Sequence, residues 1–109
     1  MYPEIERFAK EVTEYRNERT LGTLPHPVGV VRSRRGRKFA KLAELNENNI
    51  PVSAWGFVAL GDGVLNGVPY RKGDLFMAAS WSAPAKHARG NILDGTAQWH
   101  EYGPLTLIR

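Results

Sequence analysis

The sequence contains no cysteine, which excludes disulfide frameworks, thiolate zinc sites and cysteine nucleophiles. No apolar run approaches the roughly 18 residues that span a bilayer. The opening Tyr2-Pro3-Glu4-Ile5-Glu6-Arg7 lacks the basic-then-apolar order of a signal peptide. A cytosolic chain with no membrane partner is therefore expected. Histidine is scarce: His26, His87 and His100 stand far apart and form no His-x-His or His-x-x-x-His pair, so no metal site is expected. No cofactor motif, internal repeat, linker or low-complexity tract is present. A chain of 109 residues buries roughly two thirds of its unfolded surface, enough for a single domain over 1–109 and too little for two lobes with a site between them.

Basic charge is what the sequence does have, and it is uneven. The formal net charge is +4. Residues 1–20 hold four basic and five acidic groups, whereas residues 21–45 hold six and one. Those six cations are Arg32, Arg34, Arg35, Arg37, Lys38 and Lys41. Packed within ten residues, they repel one another unless solvated or offered anions, and phosphate is the counter-charge a cell supplies. A solvated surface loop is the plainer reading of the same run.

Pro3 in a first turn, followed by Glu4 and Glu6, predicts a helix start. Ile5, Phe8, Val12 and Tyr15 recur at spacings of three, four and three, giving one apolar stripe for core packing or a dimer seam. Gly22 supplies a stop, so the helix is placed in residues 1–22 and a sheet-forming core in 28–109. Leu24-Pro25-His26-Pro27 is an extended connector into a short strand, Val28 to Val31. Arg37 to Leu45 is ambiguous, and local propensity alone favours helix. Val52 to Leu60 and Leu75 to Trp81 read as strands apolar on both faces, one covered by the helix and the other by a partner chain. Asn66-Gly67 and Gly73-Asp74 are turns, Pro69 argues against a central strand between them, and Leu105 to Ile108 forms the last strand.

The corner after Trp81 carries the most chemistry. Ser82 can cap a short helix from Ala83 to Arg89 with Gly90 as its stop. Such a helix start would hold an anion: Lys86 and Arg89 would share a face, Arg89 would grip phosphate, and Trp81 would stack on a base. Arg37, Lys38 and Lys41 would assist from a neighbouring strand or subunit. The plainer reading makes Trp81 core, Ser82 a cap and the two cations solvated. A hydrolytic variant would use His87 and His100 as general base and acid on a ribose phosphodiester without metal, although a histidine beside cations also serves as a plain phosphate contact.

Gly73-Asp74 and the run Ala79-Ser80-Trp81-Ser82-Ala83-Pro84-Ala85-Lys86-His87-Ala88-Arg89-Gly90-Asn91-Ile92 resemble a group of small uncharacterised proteins of tailed bacteriophages. The resemblance covers about residues 34–109. In that group the segment like Arg37 to Lys41 leads as a strand into the sheet, and a final strand resembles Leu105 to Arg109. The N-terminal helix and the longer Gly61 to Lys72 connection depart from the group. The resemblance implies phage origin, the cytoplasm of an infected bacterium and a small α+β fold, and it turns 37–45 toward strand. The fold expected is an N-terminal amphipathic helix on a mainly antiparallel sheet of three to five strands, with a short helix after Trp81.

The function expected is an accessory anti-defence protein that binds a phosphate-bearing nucleotide. It would sequester an immune second messenger such as a cyclic dinucleotide or an ADP-ribose derivative. The alternatives are nucleic-acid binding through Arg32 to Lys41, cleavage of the signal by a metal-independent phosphodiesterase, and docking on a host defence protein. Binding is favoured over catalysis, and a homodimer or higher homo-oligomer is expected from the helix stripe.

Overall fold

The computed structural model describes residues 2–19, 26–31, 38–81, 83–100 and 103–104. Helix α1 (Tyr2–Arg19) has Glu4 in its first turn and Arg16 and Arg19 in its last, each sign matched to the helix dipole. It buries Ile5, Phe8, Ala9, Val12 and Arg16, so Ala9 and Arg16 widen the expected stripe on one side. Tyr15 is half-buried, its ring edge-to-face with Trp99 at 5.1 Å. Gly22 lies outside the described residues.

Five strands form one antiparallel sheet in the order β1 (Val28–Val31), β2 (Phe39–Leu45), β3 (Pro51–Ala59), β6 (Asp74–Ala78) and β7 (Pro84–Asn91). Between β3 and β6 the chain makes a separate hairpin, β4 (Gly63–Leu65) and β5 (Val68–Tyr70). Asn66 and Gly67 turn it at φ of 51° and 82°, the pair of positive angles that a two-residue hairpin turn needs. Pro69 thus sits in a short outlying strand. A two-residue ladder, β8 (Trp99–His100) with β9 (Gly103–Pro104), completes the described chain. The strand expected over Leu105 to Ile108 lies outside the described residues.

Alternation along the strands builds a core on each face of the sheet. Ala40, Leu42, Trp55, Val58 and Leu75 meet Ile5, Phe8 and Val12 beneath α1. Phe57, Ala59, Tyr70 and Phe76 form a second cluster on the outer face, joined by the half-buried Phe39 and Leu65. The double-sided apolarity of β3 and β6 is therefore answered within the chain by the β4–β5 hairpin, where the sequence reading had looked to a partner.

Thr13 ties helix to sheet: its hydroxyl accepts the Val28 amide at 3.0 Å and donates to the Ala9 carbonyl at 2.9 Å. Arg16 adds a 2.6 Å ion pair to Glu44 of β2.

One element differs in kind. The short helix expected after Trp81 is strand β7. The Ala83 carbonyl, which a helix would offer to a later amide, accepts instead from Ala79 at 2.9 Å and Ser80 at 3.2 Å, closing a hairpin with β6. Phe76 then faces Ala88 and Asp74 faces Asn91. Burial of Phe76, Asp74 and Asn91 across this register outweighs the helix preference of a run of alanines. Gly90 is no helix stop. At φ of 90° it brings the backbone against the Thr96 carbonyl so closely that a Cβ would collide with it.

Candidate functional site

Lys41 alternates with Ala40 and Leu42, which point into the helix-side core, and it stands opposite Phe57 of the outer cluster. It is thus on the outer face. Trp81 lies in the β6–β7 connection, 47% exposed, and the Lys41 ammonium sits 3.7 Å from its ring centroid. These two residues are forty positions apart in the chain and meet because only β3 separates β2 from β6, the strand that leads into the connection. A cation on one face of a half-exposed indole fixes the ring and leaves a flat aromatic surface beside a positive charge. Such a surface stacks a base and attracts its phosphate.

The other expected residues do not all gather at this pair. Lys38 is exposed just before β2, but next to Phe39 of the outer cluster and level with Leu60 of the helix-side core it faces away from Lys41; Lys86 and His87 are exposed on β7. None of the three side chains has a hydrogen bond or ion pair among the described residues. Lys86 and Arg89 do not stack as they would on a helix, because a spacing of three on a strand does not return to the same face. Arg89 turns inward, where Nη2 donates to the Met77 sulfur at 3.6 Å while Nε and Nη1 are enclosed without a partner. Arg37 and Ser82 lie outside the described residues. His100 is half-buried on β8, on a different ladder from His87. No group of three or more side chains suited to a metal ion occurs among the described residues.

Two features escaped the sequence reading. The first is the network around Asn91, within the very run that looked most like a ligand motif. Its side-chain amide donates to the Lys72 carbonyl at 2.8 Å and to Asp74 Oδ1 at 2.9 Å, while its Oδ1 accepts the Leu93 amide at 2.7 Å. Thr96 closes the turn: its hydroxyl takes the Asn91 amide at 3.0 Å and donates to Asp94 at 2.6 Å. Hydrogen bonds from the Thr96 hydroxyl and amide, with Arg71 nearby, hold the Asp94 carboxyl below the usual aspartate range. Gly73-Asp74 and Gly90-Asn91 are therefore residues of the scaffold that carries Trp81.

The second is a shallow groove of about 320 Å³ along α1, lined by Glu11, Glu14, Glu18, Tyr15 and Trp99. The three glutamates recur at spacings of three and four, which was legible, but Trp99 joins them from the far end of the described chain. This groove is anionic and lies on the helix side, where it repels phosphate.

Residues 30–102 match a family described as a family of unknown function (DUF7717), a span that runs from β1 to the end of the β8 region and takes in Lys41 and Trp81. No curated protein and no solved structure matches the chain.

Proposed function

The chain belongs to that family of unknown function, and we propose that it binds a phosphate-bearing nucleotide ligand, with a base on Trp81 and phosphate at Lys41. The single observation that carries this reading is the Lys41 ammonium 3.7 Å from the centroid of a half-exposed tryptophan ring. Lys86 and His87 are exposed on β7, the strand that follows Trp81. Arg89 contributes through packing, since two of its guanidinium nitrogens are enclosed.

The reading is of binding rather than cleavage. The two histidines that a cleavage would use stand on different ladders, His87 on β7 and His100 on β8. In its sharper form the ligand is a nucleotide signal of bacterial immunity, withheld from its receptor inside an infected cell. The supports are the resemblance of the Gly73 to Ile92 run to small phage proteins, and the fact that withholding a signal requires affinity alone. Calorimetric titration with cyclic dinucleotides, ADP-ribose derivatives and short single-stranded oligonucleotides tests the proposal, with chromatography of each mixture afterwards. Saturable heat with the ligand recovered intact supports it. Absence of binding across the panel contradicts it, and a cleaved ligand contradicts the binding-only form.

A further inference from the structure

We infer that the groove along α1 is a docking surface for a partner protein, taking an extended segment that carries two arginines at alternate positions, Arg-x-Arg. This surface is separate from the nucleotide site, since it lies on the helix side of the sheet while Lys41 and Trp81 belong to the outer face.

The floor of the groove is aromatic. Tyr15 of α1 and Trp99 of β8 are half-buried and meet edge-to-face, with ring centroids 5.1 Å apart and planes at 79°. Trp99 also packs against Phe8 at 5.6 Å and Trp55 at 6.2 Å, so this corner is built on the helix-side core. A cation already rests at it. The Arg19 guanidinium carbon stands 5.5 Å from the Tyr15 ring centroid, within the reach of a cation–π contact. The Trp99 ring has no such cation among the described residues.

The wall is acidic. Glu11, Glu14 and Glu18 are exposed along the groove, and none has a hydrogen bond or ion pair among the described residues. Carboxylates four positions apart on a helix repel each other, so Glu14 and Glu18 oppose the helix that carries them. A bound cation removes that cost. Charge complementarity therefore selects a basic partner, on a chain whose own net charge is +4.

Shape and spacing narrow the partner further. The groove is shallow, about 320 Å³, and follows the helix from Glu11 to Glu18, which suits a chain laid lengthwise. The helical rise puts Glu14 and Glu18 about 6 Å apart along the axis, and alternate side chains of an extended segment stand about 7 Å apart on one face. Two arginines in Arg-x-Arg order thus each meet a carboxylate. Arginine is favoured over lysine because its planar guanidinium stacks on an indole and grips a carboxylate with two donors.

The test titrates the full chain with the capped pentapeptide Gly-Arg-Ser-Arg-Gly and with versions in which lysine or glutamine replaces both arginines. Calorimetry and the NMR signals of the Tyr15 and Trp99 rings report binding. The arginine peptide is expected to bind saturably and shift both rings, the lysine version to bind several-fold more weakly, and the glutamine version not to bind. Glu14→Gln and Glu18→Gln are each expected to weaken the arginine peptide about two- to five-fold, the range of an exposed ion pair. Glu47→Gln, in the turn between β2 and β3, should leave it unchanged. All three of these glutamates are exposed, so unmoved melting curves confirm the fold of each variant. No binding of the arginine peptide, equal binding of the lysine or glutamine version, or equal losses at Glu14 and Glu47 would overturn the inference. Sedimentation velocity tests the other occupant: self-association abolished by Glu14→Gln would put a second copy in the groove and overturn the inference as well. The nucleotide titrations are read separately, so either proposal can fail alone.

Discussion

Asn91 of β7 donates its side-chain amide to Asp74 of β6 at 2.9 Å, and both residues are buried. The bond closes the far end of the hairpin that carries Trp81, because the same Asn91 side chain holds the Lys72 carbonyl and the Leu93 amide. An asparagine that satisfies three backbone or carboxylate partners is a structural fastener, and its presence in the Gly73 to Ile92 run accounts for much of that run without a ligand.

Asn91→Ala removes all three bonds and leaves Asp74 Oδ1 without the Asn91 amide, while Oδ2 keeps the Arg71 backbone amide. The expected loss is about 2–3 kcal/mol, which lowers Tm by roughly 8–20 °C in a domain of this size. Calorimetric melting checks it, and a change below about 0.5 kcal/mol, the level of an ordinary surface substitution, would show that the network does not hold the hairpin.

Two glycines separate close approach from backbone angle alone. Gly90 has φ of 90° and its missing Cβ is replaced by the Thr96 carbonyl, whereas Gly95 has φ of 80° and nothing within 4 Å. Gly95→Ala should cost about 1 kcal/mol for the angle. Gly90→Ala should cost at least about 3 kcal/mol, because the backbone must also move. Equal melting temperatures for the two variants would contradict the packing of β7 on the Thr96 turn.

The α+β architecture was legible in the sequence to the extent that it is periodic. The Ile5, Phe8, Val12 stripe gave the helix, and branched and aromatic runs gave β3 and β6. The partner of Arg16 was not legible, since a basic residue on an apolar helix face declares itself only when Glu44 arrives from β2. Strand β7 was missed because alanine, lysine and a flanking glycine describe a helix locally, while its strand state is decided by Phe76 and Asp74 across the register. Of the candidate site, Lys41 and Trp81 were both singled out, but their contact depends on the order β2-β3-β6, which no local pattern carries. Arg89 was expected at the ligand and instead turns inward, for the same reason that β7 is a strand.

Arg16 and Glu44 form a 2.6 Å ion pair with side chains 6% and 24% exposed. Glu44→Ala strips a buried guanidinium of its carboxylate and should cost about 2 kcal/mol, less than a fully enclosed pair because Glu44 retains water. The double variant Arg16→Met, Glu44→Leu should recover most of that loss. Urea unfolding midpoints of the three proteins check it, and a double variant no more stable than Glu44→Ala would contradict the account.

The Asp94 carboxyl is held down chiefly by the Thr96 hydroxyl and amide. A depressed folded value means that its contribution is present above the unfolded aspartate value and is lost as pH falls through the folded one. By NMR titration Asp94 should protonate below the usual aspartate range, and Thr96→Val should move it upward. An unchanged midpoint in Thr96→Val would contradict the hydrogen bond.

The central claim is that the pair formed by Trp81 and Lys41 is a nucleotide contact. The most direct measurement is calorimetric titration of a cyclic dinucleotide, an ADP-ribose derivative and a short single-stranded oligonucleotide into the wild-type chain and into Trp81→Ala, at low salt and with matched melting curves. The account predicts saturable binding by the wild type, weakened roughly ten-fold or more by the substitution, as loss of one stacked base requires. Equal affinity of the two proteins, or no binding of any of the three by the wild type, would contradict it.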